Sequence, residues 1–498
     1  MPRESPRRTL PRSWIVLPLA FFAVMVLFYS FRFVFEFDRD EGVNAIKALL
    51  VLRGFRLYGE IWNDQPPVFT LLLAQWFRIF GLRVAAGRVL VLLFSTGLVG
   101  ASAYYLRRWW GLAASLAGVA FLALLPLYLE LSVSIMIGLP AISLAFLAFV
   151  SHAKWHENRR AVWLLLSSGL LALSVLTKAF TVILVPLFAI GIVLAIRERR
   201  AEAGDPLRAW APLIAWILAW VGVCGLVLML VVRPENLPQL VQVHLAAERA
   251  PAFQLSDRLP GINVLLLRSL PVLLLAIAGA VLAYRRRKWT ALYLAAWAAA
   301  AYLLLYFNRP TWPHQQLLLT VPAAVLAAAA LGSAVEDLIE RIDLRSIASA
   351  FRPLSLAAVG LAAWFLAAQL LVALRQLEPD LPNLWFDPSS NLEERQIVAL
   401  LWNHAPGTEW LFTDRPMFAF LADLPVPPHL AVFSSKRLRS GELSPEEILD
   451  VLEAYEPELI LKGGRFDMPY VDEYMQRRDY PRIDDTTSYR LYLRQENP

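Results

Sequence analysis

Long apolar blocks separated by short polar or charged loops dominate the pattern of the chain. A run of about 18 or more apolar residues is long enough to cross a bilayer as a helix. Such runs lie near residues 13–35, 86–106, 111–129, 134–151, 161–178, 180–197, 209–232, 261–284, 289–307, 314–332 and 354–375, which predicts about eleven spans. The stretch "PPVFTLLLAQWFRIFG" (66–81) is also apolar, but it is short, opens on two prolines and carries Gln75 and Arg78. It reads as a helix lying in the membrane interface. A second surface helix is expected from about Glu41 to Leu52, and a mixed one over 334–351.

After about Arg375 the pattern changes. "LEPDLPNLWFDPSSN" is a linker rich in Pro and Asp. Ser390-x-x-Glu393 and Ser444-x-x-Glu447 are capping boxes, the second with Pro445 at the first helical position. "EWLFTD", "ELILKG" and "YRLYL" read as short strands between helical stretches, which predicts a small α/β unit. The expected organisation is an α-helical polytopic membrane domain over 1–376, with a long first loop at 36–85, followed by an α/β domain over 377–498.

Composition sharpens this picture. The chain of 498 residues is 58% hydrophobic, above the ~45–50% of soluble domains. The net charge of +6 sits largely in "PRRTLPR", "RRWW", "HAKWHENRR", "RERR" and "YRRRK". These clusters flank apolar runs in alternate loops, so they are topology signals and not a nucleic-acid surface. They predict a cytoplasmic amino terminus in the cytoplasmic (inner) membrane. The loops at 36–85, 233–260 and 308–313 and the C-terminal domain then lie outside. The first apolar run is too long for a signal-peptide core and lacks a small-residue cleavage site, so it is expected to remain as a span. The single cysteine, Cys224, excludes a disulfide or a cysteine metal site within the chain.

Candidate chemistry gathers in the outer loops. "FEFDRDEG" places Asp38, Asp40 and Glu41 just after the first span. They are either a solvated rim with one Asp capping the next helix, or acids facing a cavity where one deprotonates a hydroxyl. Asp64, in "IWNDQPPVF", is either a turn residue or a second acid of the same site. Lys178 closes a span, where it either snorkels to the rim or binds an anion. His244 and Arg249 in one loop, and Arg309, Trp312 and His314 in "FNRPTWPHQQ", could hold an anionic headgroup. A rim tryptophan is otherwise an interfacial anchor. The chain contains no P-loop, no dinucleotide fingerprint and no zinc-type spacing.

The stretch "DEGVNAIKALLVLRGFRLYGEIWNDQPPVFTLLLAQWFRIFG" resembles the first outer loop of GT-C membrane glycosyltransferases, of the protein O-mannosyltransferase and aminoarabinose transferase type. The shared pattern is Asp40-Glu41, a surface helix ending in Gly54 to Tyr58, and Asp64 before Pro66-Pro67. "LTKAF" and "RPTWPHQQLLLTVPA" resemble two further segments of that family. The resemblance implies a GT-C fold, a polyprenyl-phosphate sugar donor, and inverting transfer to a glycan, lipid or protein acceptor. It gives Asp40 the role of base, with Glu41 and Asp64 completing the acidic site. Lys178, Arg249, Arg309 or His314 would contact the leaving phosphate. Relatives often carry Lys where this chain has Gln65, so another cation must compensate. No organic cofactor is expected, although Asp38, Asp40, Glu41 and Asp64 could hold a divalent cation, as in related oligosaccharyltransferases. The competing readings are a transporter or flippase of a lipid-linked or anionic solute, and a non-catalytic assembly protein that presents its C-terminal domain.

Overall fold

The computed structural model describes residues 15–29, 31–199, 206–240, 266–307, 312–339, 359–364, 367–368, 391–439, 441–484 and 486–495. The apolar runs form the helices α1 (Val16–Phe28), α4 (Val84–Trp110), α5 (Leu112–Leu124), α7 (Gly138–Asn158), α8 (Ala161–Thr177), α9 (Leu184–Arg199), α10 (Pro206–Val231), α11 (Leu270–Arg285), α12 (Trp289–Phe307) and α13 (Leu317–Ile339). The chain is a multi-pass membrane protein. The run 354–375 and the mixed segment beyond Ile339 lie largely outside the described residues.

The helices differ sharply in what they face. Nearly all of α13 is buried, and its Ala-rich sequence "PAAVLAAAALGSA" lets neighbours approach closely. A Cβ on Gly332 would lie 2.4 Å from Ala114 of α5. α10 is the opposite case, with Leu218, Leu226, Met229 and Leu230 exposed, as on a helix facing lipid.

The first loop folds as two helices, α2 (Arg39–Leu52) and α3 (Val68–Phe80). α3 buries Phe69, Leu73 and Phe77 and leaves Leu72, Gln75, Arg78, Ile79 and Phe80 exposed. That mixed face suits an interface.

The C-terminal unit holds a three-stranded sheet in the order β1 (Leu411–Thr413), β2 (Leu459–Lys462), β3 (Arg490–Leu493). β1 and β2 are parallel, and β2 and β3 antiparallel. The strands fall where "EWLFTD", "ELILKG" and "YRLYL" predict. Side chains alternate across a strand, and here both faces are apolar. Phe412 and Ile460 join a core made with α17 (Pro445–Tyr455) and α18 (Pro469–Arg477). Leu411, Leu459, Leu461 and Leu491 turn the other way and share a core with Leu49, Leu50, Tyr58 and Phe77 of the first loop. The C-terminal unit is therefore packed onto the loop through one face of its sheet. Between β1 and β2 lie α15 (Pro416–Leu421), which seats Phe418 on Phe35 and Phe420 on Phe77, and the short α16 (Ser435–Arg439).

The Ser444–Glu447 capping box is formed in both directions. Ser390 of the first box lies outside the described residues; α14 (Leu392–His404) starts from Asn391, and the Glu393 carboxylate accepts from Thr487 and Ser488.

Candidate active site

Asp38 caps α2, its carboxylate accepting the Asp40 N–H at 2.9 Å, so the capping role expected of one Asp falls to Asp38. Asp40 and Glu41 have opposite environments although they are adjacent in sequence.

Glu41 is fully buried. Each carboxylate oxygen accepts two hydrogen bonds. Oε1 takes Arg88 Nε at 3.1 Å and the Ile135 N–H at 2.7 Å, and Oε2 takes Arg88 Nη2 and the Phe37 N–H, both at 2.7 Å. The Arg88 guanidinium also donates to the carbonyls of Phe31, Val34 and Phe35. Both charges are thus paired and saturated. Asn44, one turn further along α2, donates to the Ile135 carbonyl at 2.8 Å. Glu41 and Asn44 therefore hold both polar groups of one residue just ahead of α7. The expectation of Glu41 as a reacting companion of Asp40 meets a carboxylate with no acceptor site left.

Asp40 keeps an exposed surface at the start of α2, with neighbouring protein crowded around it. Burial, with help from Asp38 and Asp64, raises its carboxyl above the usual aspartate range, while Lys178 and Arg465 oppose the rise. Lys178 ends α8 as its C-cap in an extended conformation. Its Nζ lies 3.7 Å from where a Cβ on Gly138 would stand, beside the amino terminus of α7. It is within electrostatic reach of Asp40, Asp38, Asp64 and His314. No described carboxylate lies at ion-pair distance from it.

Asp64 is half-buried and 3.6 Å from Lys436 of α16. The Gln65 carbonyl accepts from the Tyr58 hydroxyl and the Asn63 amide, which fixes the turn before Pro66-Pro67. Trp312 is exposed, as an interfacial anchor would be. His244, Arg249 and Arg309 lie outside the described residues. Among the described residues no group of three or more His, Cys, Asp or Glu is arranged to hold a metal ion.

Several residues were not anticipated. Lys47 is buried, donates to Asn63 Oδ1 at 3.0 Å and is pushed down to about 8 by burial, against the pull of Asp64 and Asp40. Its signal was present, because Asp40, Asn44 and Lys47 share one helix face at i, i+4, i+7. Gln316, two residues past His314, is buried with both side-chain amide atoms unpartnered among the described residues. Such orphaned groups are rare. Arg465 and Lys436 come from the C-terminal unit, and nothing in the local sequence marks them. A pocket of about 340 Å³ lined by Asp472, Met475, Tyr480 and Tyr492 contains none of the site residues.

The comparisons bear on this geometry. A family model described as dolichyl-phosphate-mannose-protein mannosyltransferase matches residues 64–224. The structure of ArnT from Cupriavidus metallidurans bound to undecaprenyl phosphate superposes with a TM-score of 0.66 over 97% of this chain and 98% of that one, at 15% identity. The fold is GT-C. An Archaeoglobus fulgidus oligosaccharyltransferase in the apo form matches with a TM-score of 0.54 at 12% identity, over 93% of this chain and 72% of that one. No curated protein matches the sequence. The chain is thus similar to mannosyltransferases and the aminoarabinose transferase, and the matches indicate a glycosyltransferase.

Proposed function

We propose that the protein moves a sugar from a polyprenyl-phosphate donor to a hydroxyl acceptor at the outer face of the cytoplasmic membrane, with inversion at the sugar carbon. The observation that carries this reading is the placement of exposed Asp40 within electrostatic reach of Lys178, whose ammonium lies at the amino terminus of α7. A helix amino terminus and an ammonium group together favour a phosphate. The ArnT structure holding undecaprenyl phosphate supports the donor class.

The chemistry divides between the two ends of the cavity. A lipid phosphate is a good leaving group, so the departing charge needs preorganised cations more than a proton donor. Lys178 is assigned that task, joined by Arg249 and Arg309; His314, kept neutral by burial and by Lys178, is left the role of a hydrogen-bond donor. At the other end Asp40 accepts the acceptor's proton as the new bond forms. Its raised proton affinity brings it nearer the working pH than an exposed aspartate. Attack from the side opposite the phosphate inverts the centre. Glu41 acts from behind, fixing Ile135 and thereby the start of α7.

The test is transfer of labelled sugar from a synthetic polyprenyl-phosphate sugar by the full chain in nanodiscs. Wild type is expected to form product, with free polyprenyl phosphate competing. Folded wild-type protein that moves the lipid across the bilayer and forms no covalent product would overturn the reading in favour of a transporter.

A further inference from the structure

We propose that Lys47 is a phosphate-binding residue: its buried ammonium, on the Asp40 face of α2 and without a carboxylate at ion-pair distance, is held for the phosphate of the lipid donor, beside Lys178. This deepens the preceding reading and rests on it.

A buried lysine ordinarily has its charge matched. Lys462 at the end of β2 shows the ordinary case, with Nζ 2.6 and 2.8 Å from the two carboxylate oxygens of Asp472. Lys47 is buried more deeply, at 2% exposure against 9%. Yet its Nζ donates to the neutral Asn63 Oδ1 at 3.0 Å, and among the described residues no carboxylate lies within ion-pair distance of it. Asp64 and Asp40 pull on it from beyond that distance. It stays charged at pH 7, burial having pushed it down only to about 8. An ammonium has three donors, so this one has capacity left for an anion.

The turn that Lys47 touches does not need this charge. Asn63 Nδ2 and the Tyr58 hydroxyl donate to the Gln65 carbonyl at 2.6 and 2.5 Å. Gln239 accepts the Asn63 N–H at 3.3 Å and donates to the Tyr58 carbonyl at 3.1 Å. These bonds close the turn without Lys47, so a tether alone does not account for a buried ammonium.

The placement fits a phosphate. Asp40, Asn44 and Lys47 share one face of α2. Asn44 fixes that face to the Ile135 carbonyl at 2.8 Å, just ahead of α7. Lys178 reaches the same segment from the end of α8, at Gly138. Lys47 stands about one turn of α2 beyond the Asn44 contact. Two ammonium groups, neither with a carboxylate at ion-pair distance, are thus brought near the amino terminus of one helix, where an anion is favoured. A phosphate has acceptor oxygens for both.

The test reads binding and needs no turnover. The thermal transition of the full chain in nanodiscs is measured with undecaprenyl phosphate, undecaprenol or inorganic phosphate. Wild type is expected to be stabilised by undecaprenyl phosphate and not by the other two at the same concentration. Lys47→Gln keeps an N–H donor for Asn63 and removes the charge. Its ligand-free transition should match or exceed that of wild type, while its affinity for undecaprenyl phosphate falls about 10–100-fold. Adding Gln65→Lys returns a cation to the same turn and should recover most of the loss, which it would not do for a mere tether. Equal affinity in folded Lys47→Gln would overturn the proposal and leave the transferase reading standing. A wild type that binds no undecaprenyl phosphate would overturn both. Inorganic phosphate acting as well as the lipid, with the same loss in Lys47→Gln, would overturn the assignment to a lipid donor. If Lys47→Gln does not fold, the wild-type complex decides: a phosphate within hydrogen-bond distance of Lys47 Nζ supports the proposal, and a phosphate elsewhere overturns it.

Discussion

Asp40 and Glu41 are neighbours, yet they sit in two regions with opposite logic. Around Glu41, every donor and acceptor is matched and water is excluded. Around exposed Asp40, like and unlike charges lie within electrostatic reach, with few direct contacts among the described residues. The first arrangement holds the start of α7 in place; the second leaves charge available for a ligand. Partial satisfaction in a site that a saturated clamp positions is what distinguishes a reacting group from a structural one of the same chemistry.

The contrast can be broken most directly at the two carboxylates. Asp40→Asn is expected to lower transfer by about 10²–10⁴-fold while leaving the thermal transition unchanged. Equal activity in the folded variant would remove Asp40 from the chemistry. Arg88→Met should do the reverse, leaving Glu41 buried without its counter-charge at a cost of about 3–5 kcal/mol. Denaturation of the purified protein measures this, and a stable variant would mean that the clamp does not support the fold.

A smaller effect is expected at the junction of the regions. Gly42→Val pushes a side chain into the Met417 backbone and should cost about 1–3 kcal/mol. Loosened docking would show as faster proteolysis of the C-terminal unit.

The smallest effect is a pH dependence from Glu36. Burial, against the pull of Arg415, pushes its carboxyl up to about 7 from the ordinary 4.5. The folded chain then keeps a proton that the unfolded chain releases above about 4.5. The stability from this group is fully present below that pH and lost as pH rises through about 7. The melting temperature should therefore fall between pH 5 and 8, and fall less in Glu36→Gln. An identical slope in the two proteins would contradict the assignment.

Much of the scaffold was legible in the sequence because membrane burial writes long, unambiguous runs. α3 fell at 68–80 and the three strands fell on their predicted segments. Asp38 as cap and Lys178 at the end of α8 could also be read locally. The partition of roles between Asp40 and Glu41 could not, because it depends on Arg88 and Ile135, 47 and 94 residues away from Glu41. Lys436 was equally hidden, since its approach to Asp64 exists only after the sheet has packed onto the first loop. Gln316 carried no periodic or motif signal, and only the folded environment shows its amide to be orphaned.

The central claim is that Asp40 and Lys178 line one cavity built to hold a lipid phosphate. A structure of the full chain in nanodiscs with undecaprenyl phosphate tests it most directly. The account predicts the phosphate against Lys178 at the amino terminus of α7, with Asp40 facing the sugar position and Glu41 still closed on Arg88. A phosphate bound away from Lys178, with Asp40 outside the cavity that holds it, would contradict the account.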